Sequence, residues 1–117
     1  MSVSEAIRKE LALLARRSSA RITSFSVSAP TDWRPQQVRN PSGVLDEYFT
    51  DAAAWELIAA KLEEGHPVEV VPLRKPAGRE GYVMNISLSG DDRPVYVKLQ
   101  LGSGKVIGRS FHYSKYG

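Results

Sequence analysis

Residues 95–113 read VYVKLQLGSGKVIGRSFHY, and this stretch decides the fold. Val95, Val97, Leu99 and Leu101 alternate with Tyr96, Lys98 and Gln100. A period of two belongs to a strand with one buried and one wet face. Gly102, Ser103 and Gly104 supply a turn, and Val106 to Ser114 reads as the returning strand. Upstream, Tyr82, Met84, Ile86 and Leu88 share one face of another strand, and Val68 to Leu73 is rich in β-branched residues. Lys75 to Gly81 is a Pro/Gly loop, and Ser89 to Pro94 is a turn whose Asp91 and Asp92 read as solvated. The pattern predicts an antiparallel meander.

The register of the last strand follows from burial. An odd hairpin loop pairs Leu101 with Lys105 or Ile107 and puts Ile107 and Phe111 in the core. It places Gly108, Ser110 and His112 on the polar side beside Lys98, with Gly108 leaving room for a ligand. An even loop exposes Ile107 and Phe111, which costs apolar burial. The odd register is therefore expected. Arg109 then falls on the core side, where a strand end or bulge is expected to let its guanidinium reach solvent.

Moving outward, Thr50 or Asp51 caps a helix running to about Glu64, with Gly65 as its stop. Trp55, Ile58, Ala59 and Leu62 form its apolar stripe. Ser2 and Glu5 make a capping-box pattern for an earlier helix, with Ile7, Leu11 and Leu14 at helical spacing and Arg16 and Arg17 in its last turn. Ile22 to Ser28 reads as a strand, and Pro30 to Gly43 as loop. The fold class is α+β: a helix packed on an antiparallel β-meander, with an N-terminal helix and extended arm. The expected units are 1–43, an N-terminal helix and loosely tied arm, and 44–117, the α+β catalytic or binding domain.

Composition narrows the chemistry. The 117 residues hold no cysteine, which excludes disulfides, thiolate nucleophiles and Cys-based zinc sites. Two histidines, His66 and His112, argue against a His-rich metal site, so no metal and no cofactor are expected. The net charge of +3 conceals a split. Residues 1–40 carry 7 basic and 3 acidic groups, 41–66 carry 1 and 6, and 67–117 carry 8 and 4. The two basic ends suggest an anionic partner. No apolar run approaches the roughly 20 residues of a bilayer span, so a cytoplasmic location without membrane attachment is expected.

The polar face of the meander gathers Asn85, Ser87, Tyr96, Lys98, Gln100, Ser110 and His112. A cation, an imidazole and hydroxyls suit phosphate chemistry. Histidine is the side chain matched to proton transfer near neutrality. Lys98 and Arg109 suit charge stabilisation, and Tyr96 or Tyr113 suits stacking on a base. In RNA the 2′-hydroxyl is a built-in nucleophile, so cleavage needs no metal. Each residue also has a plain reading: Lys98 as a solvated strand lysine, His112 as a surface or capping histidine. His66 reads as structural and Trp55 as core. Trp33 is either a core plug or a ring for a partner. Arg16, Arg17 and Arg21 either track an RNA backbone or form a solvated helix end.

The pair Val95-Tyr-Val-Lys-Leu99 and Val106-Ile-Gly-Arg-Ser-Phe111 resembles the C-terminal hairpin of small bacterial ribonuclease toxins of the RelE and MqsR type. In MqsR-like toxins a VYLKL strand precedes a final VIVSF strand. Lys98 matches the lysine of that strand, whereas His112, Tyr113 and Ser114 have no firm counterpart. The resemblance spans at best residues 44–117. It implies a RelE/barnase-like layout and a metal-independent endoribonuclease of a toxin–antitoxin system, with RNA as substrate and a cognate antitoxin as protein partner. The candidate catalytic residues are His112, Lys98, Arg109, Ser110 and Tyr96. The candidate RNA-binding residues are Tyr113, Gln100, Asn85, Arg79, Lys75 and Lys115. The alternative is a non-catalytic RNA- or protein-binding module using the same face.

Overall fold

The computed structural model describes residues 2–41, 47–88 and 93–114. Lys115, the Asp91-Asp92 turn and the expected 43/44 boundary lie outside the described residues. Two α-helices, α1 (Glu5–Ala15) and α2 (Asp51–Glu63), accompany a six-stranded sheet. Its strands are β1 (Arg21–Ile22), β2 (Asp32–Trp33), β3 (Glu69–Pro72), β4 (Glu80–Ile86), β5 (Val95–Gly102) and β6 (Lys105–Tyr113). The order is β1-β6-β5-β4-β3, with β2 also on β6. The meander β3 to β6 is antiparallel, as the alternation predicts. The sheet as a whole is mixed, because β1 and β2 run parallel to β6. The strand expected over Ile22 to Ser28 stops after Ile22; the chain leaves the sheet and returns as β2.

Both helices start at a hydroxyl cap. Thr50 Oγ1 accepts from Ala53 N–H at 3.1 Å, as expected for α2. For α1 the cap is Ser4, accepting from Ile7 N–H at 3.3 Å, and not Ser2. Ser2 instead bridges Glu69 beside β3. Arg16 lies just past the last turn of α1. It pairs with Glu56 at 2.8 Å and Glu63 at 2.7 Å on α2, which holds Glu63 below the usual carboxylate range. An RNA-tracking role for Arg16 thus meets two carboxylates already in place.

The N-terminal residues are not a loosely tied arm. Leu11, Ala15 and Val38 share one apolar cluster with Trp55, Ile58 and Leu62 of α2 and with Met84, Val97 and Phe111 of the sheet. Trp33 plugs this core. Its indole stacks on Trp55 at 4.9 Å, lies 5.5 Å from Phe111, and donates through Nε1 to Asp51 at 3.0 Å. The stretch between β1 and α2 lacks helical or strand periodicity because single residues such as Trp33 and Val38, rather than a repeating face, enter the core.

The register of β6 departs from expectation. Near the turn the pairing is even: Leu101 faces Val106, and Gln100 faces Ile107. Val106 therefore enters the core in place of Ile107. A bulge then falls between Leu99↔Gly108 and Lys98↔Ser110, with Arg109 the extra residue. Beyond it Phe111 faces Val97 in the core, and Ser110 and His112 stand beside Lys98 and Tyr96 on the opposite face. One inserted residue reconciles two registers, so both Val106 and Phe111 are buried. Gly108 lies on the core side and makes room for Trp33, not for a ligand. A Cβ there would meet the indole at 2.5 Å.

Candidate nucleic-acid interface

The outer sheet face carries two cross-strand rows. One runs Asn85–Tyr96–His112 and the other Val83–Lys98–Ser110. These rows bring together four of the five candidate catalytic residues, and the bulge brings the fifth, Arg109. Beside them lies a cavity of about 530 Å³, lined by Tyr96, Lys98, Arg109, Arg74, Lys75 and Pro30 among others. Among the described residues no carboxylate lines it.

Arg109 is 6 % exposed, so the expected escape of its guanidinium to solvent does not occur. The bulge turns it along the sheet instead. Nε donates to Pro30 O, and Nη1 donates to Lys75 O and to Gln100 Oε1, each at 2.7 Å. All three acceptors are neutral. No fully buried side-chain nitrogen or oxygen among the described residues lacks a partner, and Arg109 is one of the residues that line the cavity. Burial holds the Arg109 guanidinium below its ordinary value. Lys98 is half-buried, and burial together with the Arg109 charge holds its ammonium below the usual lysine value. Two desolvated cations side by side, with no carboxylate lining their cavity among the described residues, make a site that an anion relaxes.

Gln100 is buried and spends its carbonyl oxygen on Arg109, so it positions that cation rather than facing RNA. Ser110 is also buried. Lys75 is exposed at the rim, while Arg79, on the same loop, lies outside the lining. Asn85 is exposed on the far side of Tyr96. The Tyr96 hydroxyl is held above the ordinary phenol value by burial and then by the Glu69 charge, which keeps it a neutral donor.

His112 stacks on Tyr96 with centroids 5.5 Å apart. Its Nδ1 lies 2.8 Å from Tyr113 O and its Nε2 3.4 Å from Asp32 Oδ2. Both nitrogens face acceptors. His112 lines a second cleft, of about 320 Å³, with Asp32, Arg34, Gln37, Arg93 and Tyr113. Arg34 Nε donates to Asp32, and the Tyr113 ring lies under Arg93 at 5.3 Å. The Tyr113 hydroxyl accepts from Arg39 N–H at 3.1 Å, so its phenol end is committed to the fold.

No protein-family model, curated protein or solved structure matches the chain. The site therefore stands on its own chemistry. Among the described residues, no three His, Cys, Asp or Glu side chains gather to hold a metal ion, and no helix is long and apolar enough to cross a membrane. Sequence reading missed Arg74, Asp32, Arg34 and Arg93. Arg74 had a signal, adjacency to Lys75 in a Pro/Gly loop. Asp32 and Arg34 had none, because a parallel two-residue pairing brings them to β6.

Proposed function

We propose that this protein binds single-stranded RNA through the Lys98–Arg109 cavity and the Tyr96 face beside it. The observation that carries the reading is the pair of desolvated cations opening on a cavity with no lining carboxylate among the described residues. Phosphate supplies the missing charge, and the neighbouring aromatic suits a base. Fluorescence anisotropy with a labelled oligouridylate tests it. Binding should weaken as salt rises, and Lys98→Ala should lower affinity about tenfold or more, since a charge-assisted contact is worth ~1.5–3 kcal/mol. An acidic peptide that binds as tightly as RNA would assign the face to a protein partner instead.

A second reading, a metal-independent endoribonuclease of toxin type with a RelE/barnase-like layout, is favoured by one arrangement. His112, paired with Asp32 and stacked on Tyr96, stands on the same face as Lys98. His112 would then move the proton, releasing Asp32 or the Tyr113 carbonyl to do so. Lys98 and Arg109 would stabilise the charge that 2′-hydroxyl attack develops. A cognate antitoxin would cover this face. This reading expects cleavage in EDTA with 2′,3′-cyclic phosphate ends, and growth arrest on expression that His112→Ala relieves. Intact RNA after prolonged incubation with binding retained leaves the binding module.

A further inference from the structure

The outer sheet face is closed at one end. Tyr96, Lys98 and Gln100 share this face of β5 by alternation. Tyr96 and Lys98 are half-buried, whereas Gln100 is buried. Arg109 Nη1 stands between Gln100 Oε1 and Lys75 O. Lys75 belongs to the loop after β3, and β3 lies at the opposite border of the sheet from β6. The loop is therefore strapped across the face at the level of Gln100. Leu73 begins the crossing. It lies against Gly81 of β4, where a Cβ would meet Leu73 Cδ2 at 2.7 Å. Its N–H bonds Arg79 O at 2.9 Å and closes the loop at the base. Arg109 Nε carries the strap on to Pro30 O. The cavity of about 530 Å³ thus has Tyr96 and Lys98 on its floor and the Lys75–Arg109–Pro30 strap as its end wall. A strand laid along β5 from Tyr96 to Lys98 stops at that wall.

We propose that this blind cavity receives the phosphorylated end of an RNA strand, a terminal phosphomonoester, with the rest of the chain leaving over Tyr96. The inference rests on the RNA-binding reading and names the part of the strand that enters. Charge favours an end as well as shape does. Lys98, Arg109, Arg74 and Lys75 all line the cavity, and none of the four is in an ion pair among the described residues. A terminal phosphate carries roughly −1.5 to −2 at neutral pH, whereas an internal diester carries a single charge. Glu69 shares the row of Val83 and Lys98, but it stands two strands away from Lys98 and lines another hollow. The volume is in the range that holds a small molecule, so a terminal nucleotide fits with its sugar against Val71 and Pro72.

Isothermal titration of the full-length chain with three unlabelled pentauridylates tests this. One carries a 5′-phosphate, one a 3′-phosphate, and one hydroxyls at both ends. At least one phosphorylated strand should bind about tenfold or more tighter than the hydroxyl-ended strand, the worth of a charge-assisted contact. The strand that gains identifies the end that enters. Lys98→Ala should erase the gain. So should Arg74→Gln combined with Lys75→Gln, a variant whose altered side chains are exposed and leave the Lys75 carbonyl in place. A gain that survives either variant would overturn the inference. Tight and equal binding of all three strands would remove the end preference and leave the RNA reading standing. If none of the three binds, the RNA reading itself falls.

Discussion

Lys98 carries opposite signs for binding and for stability. Burial and Arg109 place its folded pKa below the unfolded value of about 10.4. Between those two values the unfolded chain binds one proton more, so this residue's contribution to stability rises with pH. Anion affinity moves the other way and falls as pH climbs through the lowered pKa. RNA affinity measured across mildly alkaline pH should therefore decline in the wild type sooner than a free lysine would allow. Lys98→Met should bind weakly at every pH, and its midpoint of urea unfolding should equal or exceed that of the wild type at neutral pH. A clear loss of stability in Lys98→Met would contradict this account. Gly108 makes a stability prediction of a different kind. A methyl group there meets the Trp33 indole at 2.5 Å, and the indole is wedged against Trp55 and Phe111. Gly108→Ala should cost about 1–3 kcal/mol, the usual range for overpacking, read from the urea midpoint.

The bulge in β6 organises the site at the scale of elements. It shifts parity by one residue, so Val106 and Phe111 both face the core while Ser110 and His112 face out. Its extra residue, Arg109, then ties together two loops and a strand: Pro30, Lys75 and Gln100. Arg109→Met removes the only donor these bonds share and leaves three acceptors in a half-dry site. A loss of roughly 2–4 kcal/mol is expected, with RNA affinity lost as well. Unchanged urea unfolding would mean that water replaces the guanidinium. The sequence made the surrounding elements legible, because alternation in residues 82–88 and 95–101 and the stripe Trp55, Ile58, Leu62 are local signals. It announced trouble at Arg109 through the cost of burying a guanidinium. It did not show the direction the side chain takes, because acceptors 34 and 79 residues away set that direction. Gln100 was legible as polar-facing, yet its role depends on that distant tether. Val106 was misplaced because one register was extended through an irregular strand.

Across the whole molecule, the acidic middle and basic ends of the sequence sort onto different surfaces only in part. Arg16 of the first basic segment is taken up by Glu56 and Glu63 of the acidic helix, while Lys98 and Arg109 remain beside a cavity that no carboxylate lines among the described residues. The residues before α2 are tied in by the Trp33 stack on Trp55, by Val38, and by the parallel pairing of β1 and β2 with β6. Trp33→Ala should therefore act as a core truncation, costing about 3–5 kcal/mol in denaturant titrations. A change within a few tenths of a kcal/mol would show that the N-terminal third is only loosely held.

The placing of the first 33 residues bears on self-association. A sheet with free borders recruits further strands, from its own kind above all. Here β1 and β2 occupy the outer side of β6, and at the opposite border Ser2 bridges Glu69 while Val3 N–H bonds Val68 O at 3.2 Å. One short stretch of chain thus blunts both borders of the sheet. A chain beginning at Arg34 would bare them together, with Val106 and Phe111 stripped of part of their cover. It should form oligomers or fibrils at concentrations where the intact protein stays monomeric, as light scattering would record.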